Sequence, residues 1–159
     1  MLQQKILASL SEPTAARFMR ESLDMGFLGI DDVKIWAYSL IQQQAQPSIE
    51  LIDVATSDGQ EPIREALASI KGEPNLILVS KSLLQHIYDL LDSEQITPFT
   101  ATVKSQQVLR DGILGKEAYF QFVAIEYDVD PDFHGINGIP KEIVDSLKGA
   151  LLGTISAAT

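Results

Sequence analysis

Cysteine is absent from this chain of 159 residues. That one absence removes disulfides, thiolate metal ligands and cysteine nucleophiles together, and it suits a reducing compartment. Long apolar runs are missing as well. Stretches such as Leu76–Val79 and Phe122–Ile125 fall far short of the roughly 20 residues that span a bilayer. The opening MLQQKILASL carries one lysine and only short apolar stretches. A signal peptide needs a basic start and about 7–15 continuous apolar residues, so a cytoplasmic location is expected. Positive charge is also scarce. Twelve Lys and Arg stand against 22 Asp and Glu, giving a formal net charge of −10 and a pI near 4.5. Phosphate backbones and anionic membranes are repelled by such a field, and no Lys/Arg cluster breaks it locally. A basic protein surface is the partner that this charge favours, although acidity also serves solubility by itself.

What is present is ordinary globular material. Hydrophobic residues make up 45% and charged residues 21% of the chain, close to the average for folded domains. A chain of this length buries roughly 70% of its unfolded surface and needs no covalent staple. There is no internal repeat and no evident linker, so one domain over 1–159 is expected, with a frayed tail at 153–159.

Apolar spacing predicts an all-α fold, a bundle of about seven helices. The first candidate is Leu2–Leu10. Ser11 and Pro13 open a second helix that runs to about Met25, with Gly26 as its stop. Asp31 and Asp32 mark the next start, followed by Val33, Trp36, Ala37, Leu40 and Ile41 at full helical spacing, with Trp36 in the core. Pro47 and Ser48 open a short helix through Thr56, with Ile49, Ile52, Val54 and Ala55 facing inward. A further helix spans about 60–70. Pro74 to Ser93 holds the longest apolar periodicity, Leu76 through Leu91. Thr97 and Pro98 begin either a helix to about Arg110 or an extended stretch at Phe99–Val103. Pro140 begins a last helix that reaches about Leu152, with Leu147 and Leu151 inward.

Residues 117–127, EAYFQFVAIEY, carry two readings. Their aromatic and β-branched content allows an α+β alternative with a strand there. A lone strand would have no partner, and Tyr119, Phe122 and Val123 share a helix face, so the helical reading leads.

The polar motifs do not assemble into catalytic machinery. Asp128, Asp130 and Asp132 sit at i, i+2 and i+4, like the opening of a calcium loop. The glycine and bidentate glutamate that complete such a loop are replaced by Phe133 and Ile139. An acidic surface loop facing a basic partner is the expected role. His86 and His134 are too few for zinc without cysteine. His86, beside Leu84 and Ile87, reads as a helix-surface or partly buried imidazole. Asp132 and His134 could pair as acid and base, but no serine stands in a nucleophile elbow to join them. Gly135-Ile136-Asn137-Gly138 lacks a preceding strand and a Walker lysine, and reads as a turn. No cofactor and no enzymatic activity are expected. The rival is a small-molecule site or enzyme with a pocket between helices near Tyr127, Asp132 and His134.

One set of residues carries a resemblance. Val33-x-x-Trp36-Ala37, then Pro47 and Glu50-Leu51-Ile52, with Ala124-Ile125-Glu126-Tyr127-Asp128 and Gly135 and Gly138 later, resembles a pattern in small all-helical bacterial immunity-type proteins. These belong to polymorphic and contact-dependent toxin systems. Tyr38 stands where that pattern has aspartate. The resemblance implies an all-helical domain that binds a toxin, and it transfers no catalytic residue. A non-catalytic protein-binding module that occludes a basic surface is therefore the functional expectation, with Asp128, Asp130 and Asp132 as positioning charges around an apolar anchor.

Overall fold

The computed structural model describes residues 7–157. Of the helix expected over Leu2–Leu10, residues 2–6 lie outside the described residues, while Leu7 and Ala8 are helical. Every regular element among the described residues is helical, and none is a strand. None of these helices is long and apolar enough to cross a membrane. The sequence shows no linker, yet the contacts between elements divide at Asn75 and Leu76 into two compact units.

The first unit contains α1 (Glu12–Asp24), α2 (Ile30–Gln43), α3 (Ile49–Thr56) and α4 (Gln60–Ser69). Helix α1 follows an extended Ser11 and carries a proline in its first turn, where a missing N–H is harmless. It buries Ala15, Phe18, Met19 and Leu23. It stops at Gly26, which takes φ +73 while the Phe27 N–H turns back to the Ser22 carbonyl. In α2 the Asp32 carboxylate accepts the Gly29 N–H at 2.8 Å, so Asp32 rather than Asp31 closes the first turn. Val33, Trp36 and Ala37 are buried as the spacing predicts.

Ser48 caps α3, accepting the Leu51 N–H at 3.2 Å. The inward face of α3 is Leu51, Val54 and Ala55, while Ile49 and Ile52 point outward. The expectation that both isoleucines were inward fails because Leu51 sets the stripe, at i, i+3 and i+4. Helix α2 packs on α3, α3 on α4, and α4 on α1. The unit closes where the Asn75 N–H donates to Thr14 Oγ1 at 3.0 Å.

The second unit contains α5 (Leu76–Asp92), α6 (Pro98–Leu109), α7 (Lys116–Val129), the short α8 (Pro131–His134), a 3-10 turn at Gly135–Asn137, and α9 (Lys141–Ser156). Helix α5 buries Val79, Leu83, Leu84, Ile87 and Leu91, but Leu76 at its start is exposed. Thr97 caps α6 by accepting the Thr100 N–H at 3.1 Å, so Phe99–Val103 is helix and not extended.

The strand alternative at 117–127 is overturned, because these residues lie within α7. Phe122 and Val129, two turns apart, are fully buried on one face. Gln106 of α6 fastens that helix, donating to the Phe122 carbonyl at 3.2 Å and to Glu126 at 2.6 Å. Helix α9 packs on α5 and α7 through Leu147 and Leu151, both fully buried. Each such side chain contributes about 1.5–3 kcal/mol of transfer free energy. Helix α9 continues past the expected end at Leu152, through Gly153 to Ser156. There Thr154 is buried and its hydroxyl bonds the Ala150 carbonyl. Lys81 of α5 donates to the Ala157 carbonyl just beyond, at 2.7 Å.

Candidate functional site

Helix α7 carries two apolar stripes on opposite sides. Phe122 and Val129 form the inner one. Phe120 and Tyr127, also seven residues apart, are displaced from it by two positions, which is about 200° around a helix. They therefore face away from the α6 and α9 contacts, and they are 63% and 71% exposed. Ala124 lies between them and is exposed too. Just beyond the helix end, Phe133 is 74% exposed and Ile136 fully exposed. Exposed single apolar residues are common, but four large ones within 17 positions of chain mark an interaction surface.

The predicted acidic residues fall beside these side chains. Asp128 is the penultimate residue of α7, Asp130 caps α8, and Asp132 is in its first turn. Asp130 is structural as well as charged, since its Oδ1 accepts the Asp132 N–H at 2.9 Å. The carboxylates of Asp128 and Asp132 are exposed and bond to no described residue. Over 116–137, one lysine stands against five carboxylates, so the negative sign of the whole chain is concentrated here.

His134 turns back into the loop, its ring Nε2 lying 2.6 Å from the Asp128 carbonyl oxygen. Its partner is thus main chain, and not Asp132 as an acid–base pair would need. The three aspartates do not converge, and the described residues contain no group of three or more His, Asp or Glu side chains able to share a metal ion.

His86, read from the sequence as surface or partly buried, is 6% exposed inside the second unit. Burial pushes its pKa below the ordinary histidine value, with the nearby Asp89 pulling the other way. An open groove of about 570 Å3 runs between α7 and α9, lined by residues including Glu117, Ala118, Gln121, Gly149, Gly153 and Thr154. Tyr127, Asp132 and His134, expected to line a pocket in the rival reading, are not among them.

Sequence reasoning found the carboxylates and missed the anchors. A usable signal was present. Phe133 and Ile136 stand in the polar run Asp-Pro-Asp-Phe-His-Gly-Ile-Asn-Gly, where no periodicity gives them a core to enter. Fold and site together define an all-helical protein with an acidic, aromatic surface at one helix end. Comparison with protein-family models, curated proteins and solved structures found no match.

Proposed function

We propose that this chain is a non-catalytic protein-binding module of the immunity type, which acts in the cytoplasm and neutralises a toxin by covering a basic surface. The observation that carries this reading is the exposed set Phe120, Tyr127, Phe133 and Ile136 beside the unpaired carboxylates of Asp128 and Asp132. Large aromatic side chains are the usual anchors of protein interfaces, and flanking charge sets encounter rate and partner choice. The acidic loop supplies the second part, and the outer stripe of α7 supplies the first.

The test is the triple substitution Asp128→Asn, Asp130→Asn and Asp132→Asn. Asparagine caps a helix about as well as aspartate, so the loop keeps its shape while its charge is removed. Proteins captured at low salt from the native host are compared between wild type and variant, and the affinity of each retained partner is then measured against salt. A basic partner bound by wild type should lose affinity with the triple variant, and its salt dependence should flatten. Unchanged affinity and salt dependence would refute the proposal.

A further inference from the structure

We infer that the cation read by this surface is guanidinium, so that the partner presents arginine rather than lysine to Tyr127, Asp128, Asp132 and Phe133. This rests on the protein-binding reading above and names the chemistry of its partner.

Two ring–carboxylate pairs are adjacent in the chain, Tyr127 with Asp128 and Asp132 with Phe133. Both rings are more than two-thirds exposed, and neither takes part in a ring contact among the described residues. Phe120, by contrast, already meets Tyr119 edge-on, with ring centroids 5.5 Å apart. Both carboxylates lack an internal cation. An open ring face beside a free carboxylate suits a planar cation that can stack and accept bidentate pairing in one placement. An ammonium group can be drawn by the charge but is more strongly hydrated and has no plane to stack. The surrounding field, with one lysine against five carboxylates over 116–137, selects the sign of the partner. The rings then select between the two cations of that sign.

The test uses two synthetic amphipathic peptides, identical except that all basic positions are arginine in one and lysine in the other. Each is titrated into the isotope-labelled full chain while backbone amide shifts are followed. The arginine peptide should shift amides over 120–136 and bind about fivefold more tightly than the lysine peptide at equal ionic strength. The double variant Tyr127→Ala with Phe133→Ala should bind both peptides equally and still lose affinity with salt. Both residues are exposed, so the fold does not depend on them. If wild type binds the two peptides equally at 120–136, the guanidinium assignment falls and the charge-steered docking surface stands. If neither peptide moves those amides, both fall.

Discussion

Glycine substitutions of opposite expected sign offer a direct test of this structure. Gly149 and Gly153 lie on the exposed face of α9, and a Cβ added at either would meet nothing within 4 Å. Neither has a positive φ. Changing both to alanine should therefore gain helix propensity without steric cost. A mid-helix Gly→Ala change is worth roughly 0.8–1.0 kcal/mol, and less for Gly153 in the last turn, so the pair should add about 1.5 kcal/mol. For a chain of this size, that raises Tm by about 3–6 °C.

Gly72 is the opposite case. It has φ +112, and an added Cβ would lie 3.0 Å from Cγ of Pro13, a ring that cannot swing aside. Gly72→Ala should cost about 1–3 kcal/mol, because strain and overlap exceed the entropy gained in the unfolded chain. Urea unfolding followed by circular dichroism measures both, with an unchanged m-value showing that the folded states remain comparable. If the Gly149/Gly153 double variant is destabilised, the outer face of α9 is not open and the groove beside it is wrong. If Gly72→Ala is neutral, the close approach to Pro13 is wrong.

Three further outcomes follow from the packing and the charge. Phe122→Ala removes a fully buried ring between α7 and its neighbours and should cost about 3–5 kcal/mol, read as a lower urea midpoint. Glu94 holds φ +57 after the end of α5, so Glu94→Gly should stabilise the protein by about 0.5–1 kcal/mol in the same assay. His86 has a folded-state pKa below its unfolded value, so the unfolded chain binds the proton first. Its contribution to stability is intact above about pH 6.5, falls as pH drops below that value, and levels off below the folded-state pKa. Stability measured against pH should show that fall in wild type and lose it in His86→Gln; equal slopes would place His86 in water.

The helical character was legible because most core positions recur at helical spacing, as with Val33, Trp36 and Ala37 or Leu83, Leu84, Ile87 and Leu91. Burial was less legible, because one helix can carry apolar residues on two faces. Hydrophobicity places Ile49 and Ile52 inward, but the neighbours of α3 meet Leu51 instead. Phe120 and Phe122 look alike in sequence and lie on opposite sides of α7. The acidic half of the candidate site was readable from Asp128, Asp130 and Asp132. The aromatic half needed the helix axis, since only the contacts of α6 and α9 decide which side of α7 is inside.

The short helix α8 is fastened at both ends, by the Asp130 carboxylate at its start and by the His134 ring against the Asp128 carbonyl at its finish. A free loop would lose conformational entropy when a partner immobilised it, and that loss would weaken the complex. Here the backbone around Phe133 is ordered before any encounter, so less of the contact energy is spent on ordering it. Unfastening the loop with His134→Ala should then shorten the lifetime of a complex while leaving its rate of formation nearly unchanged, though no interface atom need be removed.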